Sequence, residues 1–81
     1  MQITVRFFAL IRDRAGVSTI ELNVPTGASA AIAVEMVGGH FPQLLPFLPR
    51  VACAVNQEYA QRDALLGEGD ELALIPPVSG G

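Results

Sequence analysis

Lysine is missing from this chain, and the five basic residues are all arginines: Arg6, Arg12, Arg14, Arg50 and Arg62. Against eight acids they leave a net charge of −3, with no basic run. That excludes the electrostatic footprint expected of a protein that binds nucleic acid or an anionic membrane. It also means that an acyl group activated on one copy finds no lysine amine on another. The single cysteine, Cys53, can form neither an internal disulfide nor a zinc site. Flanked by alanine and valine, it reads as a small buried hydrophobe, with a persulfide-carrying role as the alternative. The single histidine, His40, stands at a helix end and reads as a surface or capping residue rather than a general base. Gly67-Glu68-Gly69-Asp70 lacks the spacing of a phosphate or calcium loop and is a turn. No apolar run approaches the length of a membrane span. Met1 opens directly on a strand-like pattern without a basic n-region or apolar h-region, so no secretory leader is expected. A cytoplasmic protein without catalytic equipment of its own is the expectation.

What is present suits one small domain: 81 residues, 51% of them apolar, enough for a single core. Residues 2 to 9 alternate, with Ile3, Val5, Phe7 and Ala9 on the face assigned to the core. Phe8 then falls on the outer face. Residues 11 to 16, with Arg12, Asp13 and Arg14 before a glycine, read as a solvated connection. Residues 17 to 24 alternate again, turning Ile20, Leu22 and Val24 inward, so the two strands form an antiparallel pair joined by a short loop. Pro25-Thr26-Gly27 ends the second strand. Ser29 is a plausible N-cap for a helix to about His40, whose inner face is Ala30, Ala33, Val34 and Val37, with Phe41 next. Gly38 and Gly39 weaken its last turn by about 1 kcal/mol each. Residues 44 to 49, punctuated by prolines, read as an apolar irregular crossing. Residues 51 to 55 are a strand of small side chains, Asn56-Gln57 a turn, and Tyr59 part of an irregular stretch. Residues 71 to 75 make the last strand, with Leu72 and Leu74 inward and Ala73 and Ile75 outward.

The chain then runs Pro76-Pro77-Val78-Ser79-Gly80-Gly81. Proline cannot donate to a sheet ladder, so the strand must stop before it. A Gly-Gly end packs nothing, and a frayed terminus is its default reading. Its other use is to carry a backbone through a space too narrow for a β-carbon, and six residues reach about 20 Å. Phe8 and Ile75, with Tyr59, would form an exposed apolar patch at the root of that tail if the first and last strands are neighbours. Ordering the tail costs about 6–12 kcal/mol, while burying three large apolar side chains returns about 5–8 kcal/mol. A partner therefore needs both, and patch and tail make one site.

Phe7-Phe8-Ala9 with Arg12, Ala54-Val55-Asn56, and Gly69-Asp70-Glu71 leading into Pro76-Pro77-Val78-Ser79-Gly80-Gly81 resemble the small subunit of molybdopterin synthase over essentially the whole chain. The helix departs from the family pattern, carrying only Glu35 and a Gly-Gly where members usually have more charge. The resemblance implies an α+β, β-grasp (ubiquitin-like) fold, a mixed sheet of about four to five strands on one main helix. Residues 1-76 would form the domain and 77-81 a flexible Gly-Gly tail. It further implies that Gly81 is adenylated by an E1-like adenylyltransferase using ATP, then converted by a persulfide sulfur donor to a thiocarboxylate. That sulfur would enter the dithiolene of molybdopterin on a large synthase subunit, in a heterotetramer. No cofactor would be bound by this chain, which is a sulfur donor and not catalytic alone. By position, Gly81 bears the reacting atom and Gly80 is its slim neighbour. Phe8, Tyr59 and Ile75 match a docking surface, Arg12 a basic position that pairs with partner acids, and Pro76, Pro77, Val78 and Ser79 the segment a partner grips. A sulfur carrier for thiazole synthesis, a ubiquitin-like protein modifier, and an interaction domain with an inert tail are the alternatives.

Overall fold

A computed structural model describes residues 1–77. The elements follow in the order β1 (Gln2–Phe7), α1 (Ala9–Ala15), β2 (Thr19–Asn23), α2 (Ala30–His40), β3 (Ala52–Val55), β4 (Glu58–Ala60) and β5 (Glu71–Ile75). The strands form one sheet in the order β2-β1-β5-β3-β4. β1 pairs antiparallel with β2 and parallel with β5, and β3 is antiparallel to both its neighbours. The sheet is thus mixed, as a β-grasp fold requires, and the α+β expectation holds.

Alternation decides which face of the sheet is covered. Ile3, Val5 and Phe7 of β1, Leu22 of β2, Cys53 of β3 and Leu72 and Leu74 of β5 are all buried with the inner face of α2. That helix begins where Ser29 Oγ accepts a hydrogen bond from the Ile32 N–H at 3.4 Å, a side chain satisfying one of the orphan donors of the first turn. Its buried residues are Ala30, Ala33, Val34, Val37 and Gly38. Small side chains on that stripe let the helix lie close to the sheet. Among the described residues no polar or charged side chain is buried in this core.

Three local expectations are corrected. The stretch read as a solvated connection is helix α1, with Ile11 fully buried and Gly16 ending it at φ +82°. Gly16 donates its N–H to the Arg12 carbonyl at 2.9 Å, closing the last turn through the left-handed conformation that glycine adopts without strain. Ala9 is accordingly no part of β1. It is exposed, at φ +48°, where the chain leaves the strand and turns into α1. A seven-residue helix with one buried position shows no periodic stripe, which is why its charges dominated the reading. β1 and β2 are paired as expected, but through this helix and not a short loop.

The second correction concerns Tyr59, which lies in strand β4. Asn56 and Gln57, at φ +51° and +72°, make the two-residue hairpin turn between β3 and β4. Positive φ at both central residues matches the twist of the flanking strands, and asparagine is among the residues that tolerate it. A three-residue strand is too short to display alternation.

The third is the proline-rich crossing. It contains two 3₁₀ turns, Pro42–Leu44 and Leu48–Arg50, that seal the end of the core with buried Leu44 and Leu48. Gly38 is where this crossing meets α2. A β-carbon there would stand 2.7 Å from Leu45 Cδ2 and 3.2 Å from Leu48 Cδ1, so this glycine permits a close approach. Ala73 points outward, as expected, yet is buried, a small side chain on the central strand β5.

Candidate functional site

The outer face of the sheet is organised by a single register row. Arg6 pairs with Ala73, Ala73 with Ala54, and Ala54 with Tyr59, across β1, β5, β3 and β4. Two alanines in the middle and two large side chains at the ends make the row concave. One row further toward the chain end, Phe7 pairs with Leu74, which sets Phe8 beside Ile75. The result is a depression of about 420 Å³ walled by Arg6, Phe8, Tyr59 and Ile75, with Ala54 and Ala73 as its floor.

The walls are presented to solvent. Tyr59 is 80% exposed and Phe8 37%, while Ile75 is half-buried. Phe8 is held by its neighbour: the Arg6 guanidinium lies 5.5 Å from the centre of the ring, and Arg6 Nη1 is 3.4 Å from Glu71 Oε2. Arg6 thus lies between the Phe8 ring and the Glu71 carboxylate at the rim. Below the depression, Asp70 accepts from Asn56 Nδ2 at 3.0 Å and from the Gly67 N–H at 2.7 Å. These bonds, the Asn56 one foremost, hold the Asp70 carboxyl below its ordinary range. Asn56 Oδ1 in turn accepts from the Glu71 N–H, so the β3–β4 turn and the start of β5 are tied together.

The structure brings together Phe8, Tyr59 and Ile75, the three apolar residues singled out from the sequence, and adds Arg6, Ala54, Ala73, Gln57 and Glu71. Alternation along β1 does turn Arg6 outward, but the alanine floor has no sequence signal, since it depends on pairing between distant strands. Arg12 is not on this depression. It is exposed on α1, one helical turn beyond Phe8. Pro76 and Pro77 line a separate groove with Leu10, Pro46, Phe47 and Arg50. Val78, Ser79, Gly80 and Gly81 lie outside the described residues.

Nothing else among the described residues assembles into a reactive centre. Cys53 faces the core, where burial pushes its thiol pKa up, against a smaller opposing effect of the Arg62 guanidinium. Arg62 itself donates to the Leu48 and Val51 carbonyls at 2.6 and 3.0 Å and is a structural brace. His40 is exposed at the end of α2. No group of three or more metal-ligating side chains occurs among the described residues. No helix there is long and apolar enough to cross a membrane. The arrangement offers an open apolar depression on the outer face of the sheet.

Comparison with known proteins places the fold and the family. A model of the ThiS family matches residues 5–81. The molybdopterin synthase sulfur carrier subunit of Chlamydomonas reinhardtii is 37% identical over 83 residues, spanning all of this chain and all of that protein. Among solved structures, SAMP1 of Haloferax volcanii superposes with a TM-score of 0.89 at 29% identity, covering both chains completely. A complex of subunits 1 and 2 of the molybdopterin-converting factor of Helicobacter pylori contains a chain of the same fold, with a TM-score of 0.71 at 23% identity.

Proposed function

From a chain that belongs to the ThiS family, together with the molybdopterin synthase sulfur carrier subunits, we propose a carrier that bears sulfur on the carboxyl group of Gly81. The carboxylate of Gly81 attacks the α-phosphorus of ATP on an E1-like adenylyltransferase, and pyrophosphate leaves. The terminal sulfur of a persulfide donor then attacks the acyl carbon and AMP leaves. A thiol cleaves the remaining S–S bond, and the thiocarboxylate is left on Gly81. Delivered to a large synthase subunit, that sulfur supplies one of the two dithiolene sulfurs of molybdopterin, so the carrier is recharged between transfers. Catalytic side chains belong to the partners.

The observation that carries this reading is the placement of the apolar depression. Phe8, Tyr59 and Ile75 surround the end of β5, the strand that leads through Pro76-Pro77 to Val78, Ser79, Gly80 and Gly81. A partner that seats this face receives the tail in a fixed direction. Docking area and reacting group act as one ligand, in keeping with the idea that binding away from the reacting centre supports the chemistry there. The sulfur carrier subunit of Chlamydomonas reinhardtii and the two-subunit Helicobacter pylori complex support the choice of a large subunit as receiver.

Intact-mass measurement on protein from a host that makes molybdenum cofactor tests it. The expected result is a species heavier by one oxygen-to-sulfur exchange at Gly81, alkylated there even after Cys53→Ala. Incubation of that species with a large synthase subunit and pterin precursor should then yield molybdopterin, separating this role from thiazole synthesis. A plain carboxylate that persists with ATP, sulfur donor and activating enzyme would overturn the reading. The likeness to SAMP1, a small archaeal modifier protein, favours a second reading in which the activated end is joined to an amine on another protein. Gly81 found in isopeptide linkage would establish it.

A further inference from the structure

The arginines are not spread evenly over the fold. Arg6 is paired with Glu71, the one ion pair among the described residues, and Arg62 is spent on two backbone carbonyls. The other three stand on two elements, Arg12 and Arg14 on α1 and Arg50 on the second 3₁₀ turn. These elements flank the groove of about 370 Å³ lined by Leu10, Pro46, Phe47, Arg50, Pro76 and Pro77. Arg14 lies over the Phe47 ring, 5.5 Å from its centre, which brings a second guanidinium to the rim. Among the described residues no acidic side chain lines the groove. Asp13, exposed between Arg12 and Arg14 on α1, offsets one of these charges, so in a chain of net charge −3 the root of the tail keeps a cationic surplus beside apolar walls.

Two of the groove's walls, Pro76 and Pro77, belong to the segment that leads into the tail. The groove therefore adjoins the last described residues, after which the Gly-Gly end follows in sequence. From this continuity and the unbalanced positive charge we infer that the groove is a second docking point on the tail-receiving partner. Its occupant is an acidic segment of that partner, with an apolar side chain set between Leu10 and Phe47 and carboxylates meeting Arg14 and Arg50. Arg14 and Arg50 are exposed, so their charges cost the partner little desolvation at the rim and act mainly on encounter and orientation. The inference rests on the carrier reading but not on the Phe8 depression, which opens on the outer face of the sheet.

Titration calorimetry of the full-length protein against the large subunit, across a salt series, tests it. Arg14→Glu with Arg50→Glu should weaken binding about tenfold or more at low salt. The deficit should shrink between about 50 and 200 mM salt, as screened charges require. Arg14→Lys with Arg50→Lys should bind within about threefold of the unaltered chain, because it keeps the charge. Circular dichroism and thermal melting, expected unchanged, verify that the reversed variant is folded. Unaltered affinity of the folded, reversed variant at low salt would overturn the inference and leave the carrier reading standing. So would loss of self-association of the free chain in sedimentation, which assigns the groove to a second copy. Loss of inorganic pyrophosphate binding would assign it to a phosphate and overturn it equally. Failure of the unaltered chain to bind the large subunit would overturn both readings together.

Discussion

Tyr59→Ala should separate docking from folding more cleanly than any other change at the depression. The side chain is 80% exposed, so only about a fifth of its burial is realised in the free protein. Fully burying a large apolar side chain contributes roughly 1.5–3 kcal/mol, so the folded chain gains about 0.3–0.6 kcal/mol from Tyr59. Its place in the edge strand β4 adds a strand-propensity contribution of at most about 1 kcal/mol. The thermal midpoint should therefore fall by at most about 13 °C, at about 4–8 °C per kcal/mol for a domain of this size. The remaining four-fifths, about 1.2–2.4 kcal/mol, is gained only when a partner covers the ring. Loss of that gain predicts an increase in Kd of about 8- to 60-fold. Calorimetry against the large subunit, beside a thermal melt of the free variant, measures both. An affinity within twofold of the unaltered chain, with folding intact, would refute the assignment of Tyr59 to the docking surface.

Other expectations concern the fold that holds this surface. Gly39→Ala has open space for its β-carbon and should stabilise α2 by about 0.5–1 kcal/mol in chemical denaturation. Gly38→Ala has the same helix gain, but crowding against buried Leu48 costs about 1–3 kcal/mol, so its net effect should run from neutral to destabilising. Asp70 has its pKa lowered on folding, so its contribution is present above the unfolded carboxyl value of about 3.9 and is lost as pH falls through the folded one. Asp70→Asn should thus be less stable at neutral pH and show a flatter loss of stability under acid, read by circular dichroism against pH. The Cys53 thiol, buried and with its pKa raised, should resist iodoacetamide in the native protein and react fully in denaturant. Fast native alkylation would show that β3 opens readily.

Much of this architecture was legible because it is written in local periods. Ile3, Val5 and Phe7 alternate over a strand long enough to show it, and Ser29 announces α2 through a cap that its own backbone completes. The turn at Asn56-Gln57 and the stop at Pro76 likewise follow from what those residues do to their own φ angles and hydrogen bonds. Ile11 in α1 and Tyr59 in β4 sit on segments too short to display a period, so their charged or irregular surroundings prevailed.

The apolar residues that wall the depression, Phe8, Tyr59 and Ile75, were legible one by one. Their assembly was not. Arg6, Ala73, Ala54 and Tyr59 fall in one row only because β5 inserts parallel to β1 and antiparallel to β3. Gly38 counted as a weak helix residue until Leu45 and Leu48 were seen against it. Arg14 and Arg50 looked scattered until α1 and the second 3₁₀ turn set them beside Pro76 and Pro77. The sequence by itself determined the long strands, the capped helix α2 and the turns between them, because these depend on neighbours along the chain. Only the tertiary structure decided the concave floor, the close approach at Gly38 and the cationic groove, because each is made by residues that are far apart in sequence and meet by pairing and packing.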